Sequence, residues 1–342
     1  MTSEIPGLAG HRPSGIDGIG PAIKNARTSI LKDLIGHMTD TAILCVGALT
    51  LDTIFQLETL PTRPGKFMPL AAVEVAGGMS SSAAASIARL GGTVALWASV
   101  GDDTAGERLV SQIAAEGVDC SRVRRVSGAR SAFSTILVDR TGERIVVPQY
   151  DPAVLAEPGE PFPISAREFS AVMTDVRWPD AAASALARAR DAGLPAILDA
   201  DVGPVAVLER LAALATHIVA SEPAAELLTG EAQPRAALQV LAERYGVFVA
   251  VTAGADGVYW MEEGGIRHCP APRVPVVDTL AAGDVFHGAF AFGLVRGWAM
   301  ERVMELACAA AAIKCSRFGG RLGAPSLAEA EALVASAPAC SG

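Results

Sequence analysis

From Thr41 onward, short apolar runs alternate with helical stretches rich in Ala, Leu and Arg. This rhythm restricts the chain to an α/β architecture, a largely parallel sheet covered by helices. Strands are predicted over 42–46, 94–100, 171–174, 196–199, 217–220 and 248–252. Helices are predicted over 81–90, 105–116, 180–192, 205–215 and 235–245. Two segments break the pattern, 53–75 and 131–147. In the second, strands 134–138 and 144–147 flank the turn Asp139-Arg140-Thr141-Gly142. Both read as antiparallel β hairpins outside the main sheet, forming a small β lid over its edge.

Composition sets the bounds. The 342 residues are 51% hydrophobic and 19% charged, which permits a large core and excludes general disorder. Residues 1–40 carry Gly and Pro breaks without the pattern of a signal peptide and are expected to lie outside the fold. The folded domain is expected over 41–335, with a short tail over 336–342. A formal charge of −9 without a basic patch argues against nucleic acid as a partner. No apolar run approaches the roughly 18 to 20 residues that span a bilayer, so no membrane crossing is expected. The six cysteines are scattered without a Cys-x-x-Cys pair. Most are expected to be reduced core residues of a cytoplasmic protein.

Open α/β sheets bind ligands at the carboxyl ends of their strands. The residues there are Asp52, Gly101, Asp102, Asp103, Asp175, Arg177, Asp201, Ser221, Glu222 and Gly254. Carboxylates and glycines suit a site for phosphate and metal. The most informative stretch is Val276-Val277-Asp278-Thr279-Leu280-Ala281-Ala282-Gly283-Asp284. A strand is predicted to end at Val277, and a turn of small residues then opens a helix. The first N–H groups of a helix lack partners, and little side-chain bulk would let a polyphosphate approach them. Asp284, in the first turn, would sit beside those phosphates and could take a proton from an incoming hydroxyl. Taken alone, it reads more simply as a first-turn acidic residue favoured by the helix dipole, with Ala282-Gly283 an ordinary turn.

The full Asp-Thr-x-x-Ala-Gly-Asp string resembles the carboxy-terminal signature of the PfkB, or ribokinase-like, carbohydrate kinases. Gly47-Ala48-Leu49-Thr50-Leu51-Asp52, Gly77-Gly78, Gly101-Asp102-Asp103 and Thr252-Ala253-Gly254-Ala255-Asp256-Gly257 resemble further family motifs, in the right order. The resemblance implies a three-layer fold with a mainly parallel sheet and a β lid, and phosphoryl transfer from ATP with Mg2+ to a sugar hydroxyl. It implies Asp284 as general base and the backbone of Ala281, Ala282 and Gly283 as the anion hole. Asp52, Gly77, Gly78 and Ser82 would meet the sugar, and Thr252, Gly254, Gly257 and Lys314 the nucleotide. A monovalent cation such as K+ and a homodimer through the lid are also implied.

The chain departs from this pattern in two places. Where many relatives carry Asn-x-x-Glu, it reads Ser221-Glu222-Pro223-Ala224-Ala225-Glu226, so Glu222, Glu226 and Asp201 become the candidate metal ligands. Ser80-Ser81-Ser82 stands where ribokinase-like relatives place a sugar-holding asparagine. These departures are similar to the branch that phosphorylates the 1-hydroxyl of 6-deoxy-6-sulfofructose. Lys66 and Arg177 are the candidate partners of a sulfonate, as a guanidinium and an ammonium are suited to an anion with three acceptor oxygens. Alternatively, Lys66 is a surface residue and Arg177 pairs with Asp175 or Asp180. Fructose, a fructose phosphate or another small ketose remains an alternative acceptor, as does a catalytically silent sugar-binding regulator. A dinucleotide-dependent dehydrogenase would need Gly-x-Gly-x-x-Gly after the first strand, which Gly47-Ala48-Leu49 does not supply.

Overall fold

The computed structural model describes Met1 and residues 41–159 and 162–341. The extension expected over 1–40 therefore lies outside the described residues, Met1 apart. Residues from Thr41 on form one compact unit. Its main sheet contains β1 (Ala42–Gly47), β4 (Val94–Gly101), β5 (Arg124–Val126), β8 (Phe169–Thr174), β9 (Ala196–Ala200), β10 (His217–Ser221), β11 (Phe248–Thr252), β12 (Val258–Glu262) and β13 (Gly265–Cys269). The order is β13-β12-β11-β10-β9-β8-β1-β4-β5. Pairing is parallel from β5 to β11 and antiparallel at β12 and β13.

Strands covered on both faces cannot alternate polar with apolar residues, and β4 is accordingly buried at every position. On one face lie α1 (Met79–Arg89), α2 (Thr104–Ala114), α7 (Ala282–Val295), α8 (Met300–Cys315) and α9 (Leu327–Val334). On the other lie α3 (Pro179–Asp191), α4 (Val205–Ala212), α5 (Glu222–Thr229) and α6 (Pro234–Tyr245). The helix predicted over 205–215 thus stops at Ala212. Helix α1 is built of Ser and Ala because α7 crosses it closely. A Cβ on Gly288 would come 2.6 Å from the Ala83 carbonyl and 2.9 Å from Ser86 Cβ.

The lid is a second sheet of β2 (Thr50–Gln56), β3 (Ala71–Gly77), β6 (Phe133–Val138) and β7 (Arg144–Gln149), in the order β3-β2-β6-β7. It comprises the two antiparallel hairpins expected, joined by a parallel β2–β6 pair. Its first strand starts at Thr50 rather than Thr53, which places Asp52 on the lid. Its small core of Ile54, Val75, Ile136 and Val138 takes in Leu280 and Phe318 from the main body.

One expectation needs correction, and the cysteines add a feature. The strand predicted to end at Val277 does not form: 271–276 has no regular structure and Val276 is 44% exposed. The segment is anchored instead to the end of α8, with the Val277 and Asp278 N–H groups donating to the Cys315 carbonyl. Among the cysteines, Cys45, Cys120, Cys308 and Cys315 are free, but Cys269 and Cys340 form a disulfide. Their separation of 71 residues gives no local signal of that pairing.

Candidate active site

The strand order reverses at β1, which has β4 on one side and β8 on the other, and the carboxyl ends of β1 and β8 open the cleft. Asp175 fills the crevice just past β8. Its Oδ2 accepts from the Ala48 N–H at 2.8 Å and the Ser80 N–H at 3.0 Å, and lies 2.8 Å from Ser80 Oγ. Its Oδ1 accepts from the Arg177 N–H at 2.8 Å. One carboxylate thus ties the end of β1 to the start of α1. Gly47 has to be glycine, because its Cβ would lie 2.2 Å from Asp175 Oδ2.

Across the cleft, Asp52 enters from the lid with its Oδ1 accepting from Thr50 Oγ1 at 2.8 Å and Ser134 Oγ at 2.6 Å. The glycine pair makes room for it: a Cβ on Gly77 would sit 1.9 Å from Asp52 Oδ2. Gly78 has φ +103°, and a Cβ there would meet the Ala48 carbonyl at 2.5 Å. Burial raises the Asp52 pKa, opposed by the Ser134 and Thr50 hydrogen bonds and by Arg321.

The floor is the start of α7. Ala281 caps it at φ 63°, ψ 12°, a left-handed conformation that an alanine adopts only under constraint. Among the described residues, the Gly283 and Asp284 N–H groups have no backbone acceptor, while Ala282 N–H donates to the Thr279 carbonyl and Val285 N–H to the Ala281 carbonyl. Gly283 is exposed, with no atom within 4 Å of where a Cβ would stand. The result is an open pair of amides at the positive end of a helix dipole. Thr279, at the mouth, donates to the Gly142 carbonyl at 2.6 Å and accepts from Arg144 at 2.7 Å, which joins the lid turn to this loop.

Asp284 is half-buried at this mouth. Burial, then the charges of Asp199, Asp201 and Asp175, push its pKa well above the usual carboxylate range, while His287 opposes them. Asp199 is raised likewise, by burial and then by Asp201 and Asp175. Behind the anion hole, His287 spans to Gly283 O through Nδ1 (2.7 Å) and to Val219 O through Nε2 (3.1 Å), with Asp199 Oδ1 3.4 Å away. Tyr150 is half-buried, and its hydroxyl is pushed up to about 12 by burial and Asp175, within the fields of Arg177, Asp52 and Asp284. Asp175, Asp199, Asp201 and Asp284 around the open amide pair, with Asp52 across the cleft, make a site rich in carboxylates. That donor chemistry fits a divalent cation carried by a polyphosphate, since Mg2+ is usually held by one or two carboxylates plus phosphate oxygens.

The structure brings Asp52, Gly77, Gly78, Asp175, Arg177, Asp201 and the Ala281–Asp284 turn to one cleft and places Glu222, Glu226, Lys66, Ser82 and Lys314 elsewhere. The expected metal trio is not assembled, and among the described residues no three potential ligands are grouped to hold a metal. Glu222 and Glu226 lie exposed on α5, and Asp201 is engaged by Arg177 at 3.6 Å and Ser221 Oγ at 3.1 Å. Arg177 therefore pairs neither with Asp180, which is held by Arg210, nor through its guanidinium with Asp175; its other contact is the Val202 carbonyl at 3.0 Å. Lys66 stands on the exposed β2–β3 connection, without an ion pair among the described residues. Ser82 is buried in α1.

In the Thr252 loop, Thr252 Oγ1 donates to the Ala220 carbonyl at 3.4 Å, and Gly254 is open to solvent. Gly257 serves packing, since its Cβ would sit 2.0 Å from the Cys269 carbonyl. Lys314, expected at the nucleotide, is wholly buried with its ammonium on Asp278. The other carboxy-terminal cations are paired too, Arg317 with Glu329 and Arg321 with Glu116. Asp103 caps α2 and accepts from Ser131, so the Gly-Asp-Asp turn has a structural role. Tyr150, His287 and Asp199 are the site residues that sequence reasoning undervalued. Only Asp199, at a strand end, carried a positional signal.

A fold with a topological switch, an amide nest at a helix start and a carboxylate in its first turn defines a phosphoryl-transferring enzyme. The profile of the pfkB family of carbohydrate kinases matches residues 40–327. The chain is 25% identical over 298 residues to the ribokinase of Lactococcus lactis, covering 85% of this chain and 96% of that one. A crystal structure of a candidate ribokinase from Agrobacterium tumefaciens superposes with a TM-score of 0.84 at 45% identity, over 86% of this chain and 98% of that one. An Arabidopsis thaliana ribokinase complexed with ribose and ATP shares the fold, with a TM-score of 0.71 at 23% identity over 86% and 98% of the two chains. The protein belongs to the pfkB family of carbohydrate kinases and is an ATP-dependent sugar kinase.

Proposed function

We propose that the chain transfers the terminal phosphoryl group of ATP to the 1-hydroxyl of 6-deoxy-6-sulfofructose, with Asp284 as general base. The observation that carries the kinase chemistry is Asp284 beside the open Gly283 and Asp284 amides. MgATP, when bound, supplies the reactive phosphoryl group and neutralises charge on it. Asp52 accepts hydrogen bonds from sugar hydroxyls, its carboxylate held in orientation by Thr50 and Ser134. Asp284 removes the acceptor proton as the oxygen approaches phosphorus. The Gly283 and Asp284 amides meet charge on the phosphoryl oxygens, where preorganised donors are most effective. Asp199 and Asp201 are the carboxylates suited to orient metal-bound water.

The sulfonate assignment is supported by Arg177, whose charge acts on Tyr150 in the same cleft as Asp175, Asp52 and Asp284; Lys66, exposed on the lid connection, would have to reach the acid group from there. Binding an acid group requires Arg177 to exchange its 3.6 Å contact with Asp201 for the ligand. The alternative acceptors are fructose, a fructose phosphate or another ketose, and ribose on the names of the relatives. The lid's exposed Phe133, Ile145, Val146 and Val147 support a homodimer through that sheet. Among the described residues no helix is long and apolar enough to cross a membrane.

A coupled assay of ADP release over these sugars tests the assignment. Sulfofructose is expected to give the highest kcat/KM, and no preference for it over neutral ketoses and ribose refutes the substrate. Asp284→Asn is expected to lower kcat by about 10²–10⁴-fold with little change in nucleotide affinity. Undiminished turnover in that variant refutes the base.

A further inference from the structure

One charged group at the site is used by no step above. Lys314, in the last turn of α8, has a fully buried side chain, and its ammonium faces only oxygen. The Asp278 carbonyl lies at 2.5 Å, Asp278 Oδ2 at 3.2 Å and the Arg317 carbonyl at 3.5 Å. Asp278 is itself fully buried. Its Oδ1 accepts from the Leu280 N–H at 2.8 Å, and its Oδ2 from the Gly319 and Gly320 N–H groups at 3.0 and 2.9 Å. Three chain segments therefore converge on one cation: the end of α8, the Gly319–Gly320 turn and the loop that runs from Asp278 through Leu280 into Ala281. That loop sets the left-handed turn at Ala281 and hence the direction of the Gly283 and Asp284 amides.

Two backbone carbonyls and a carboxylate oxygen, gathered out of contact with water, require positive charge among them. An ammonium has three donors for three oxygens, and the stem of Lys314 delivers it from the helix. Carbonyl oxygens arranged in this way are also the ligands that replace the hydration shell of K+. Burial lowers the Lys314 pKa on balance, and the charge and hydrogen bond of Asp278 oppose that shift.

We propose that Lys314 is a tethered monovalent cation: its ammonium fills the oxygen cage that fixes the anion-hole loop, so that this chain works without added K+ and Lys314 is a positioning residue for phosphoryl transfer. The external cation implied by the family resemblance does not fit here, because the oxygens that would receive it are already engaged. The inference rests on the reading of the Gly283 and Asp284 amides as the anion hole.

The experiment compares wild type, Lys314→Ala and Lys314→Met in chloride salts of choline, Li+, K+ and NH4+ at equal ionic strength, reading both turnover and melting temperature. Wild-type turnover is expected to change by less than about twofold between choline and K+. Lys314→Ala is expected to lose at least about tenfold in kcat in choline, equal to about 1.4 kcal/mol, and to recover in K+ or NH4+ but not in Li+. Its melting temperature is expected to rise in K+ and NH4+ alone. Lys314→Met, which fills the channel without charge, is expected to stay impaired in every salt. Strong activation of wild type by K+, wild-type turnover in Lys314→Ala, or an alanine variant whose activity and melting ignore K+ and NH4+ would each overturn the proposal. The melting readout needs no sugar. A wild type inactive on every sugar therefore refutes the kinase reading, while the salt-dependent melting of Lys314→Ala still decides the role of Lys314.

Discussion

Removing the Asp175 carboxylate should unfasten the floor of the sugar pocket. Asp175→Ala deletes the acceptor of two buried backbone donors, the Ala48 and Ser80 N–H groups, and of the part-buried Arg177 N–H. Ser80 Oγ is not counted, since its single proton can go to the Val46 carbonyl at 2.7 Å. Each buried donor left without a partner costs about 1–3 kcal/mol, so the variant should lose about 2–6 kcal/mol. For a unit of about 300 residues, unfolding entropy near 2.1 cal/mol/K per residue converts this to a fall in Tm of about 3–10 °C. Asp175→Asn can keep its amide oxygen on Ala48 and Ser80 while its NH2 group faces the Arg177 N–H. It should lose one interaction and about 1–2 kcal/mol. Urea and thermal unfolding give the stability, and initial rates give the sugar KM, which should rise while the nucleotide KM holds. An alanine variant within about 0.5 kcal/mol of wild type, the range of an ordinary surface change, refutes the assignment of Asp175 as a strut.

Further predictions follow from the same geometry. Asp284 must be ionised to act and its pKa is raised, so kcat should fall with decreasing pH along a limb above the ordinary aspartate value of about 3.9. Asp199→Asn removes the leading neighbouring charge and should move that limb to lower pH; a pH profile that does not move contradicts the coupling. Gly257→Ala forces a Cβ to within 2.0 Å of the Cys269 carbonyl at φ +95° and should cost at least about 1–3 kcal/mol. An unchanged unfolding midpoint would show that the β11–β12 connection relaxes freely. Val147→Glu places a charge on the lid residue exposed at 60% and should convert a dimer to a monomer in sedimentation, whereas a monomeric wild type refutes the lid interface.

Much of the fold can be read from local pattern. The buried parallel strands are continuous apolar runs because both of their faces are covered, so β1, β4 and β8–β11 stand out one by one. The second lid hairpin announces itself by its turn at Asp139–Gly142, and the first by its break in the α/β rhythm. The predicted strand ending at Val277 fails because an apolar pair has the same signature whether it joins a sheet or, as here, hydrogen-bonds to the end of α8. The metal trio fails for a related reason. Carboxylates at strand ends look alike in sequence, yet Asp201 is occupied by Arg177 and Ser221 while Glu222 and Glu226 face solvent.

The string from Asp278 to Asp284 pointed to the chemistry through its family resemblance, and the partnerless first amides of a helix give that resemblance a physical basis. The glycines at 77 and 78 likewise marked where the backbone comes close to another group. Only the tertiary structure decided which charges would be free. Lys314 reads as one more cation near a helix end, and the meeting of α8, the Gly319–Gly320 turn and the Asp278 loop buries it. Asp175 reads as a ligand, and the proximity of Ala48 and Ser80, 127 and 95 residues away in sequence, makes it a strut. Charge is written in the sequence, but desolvation and partners depend on residues far apart in the chain, and these set what each charge does.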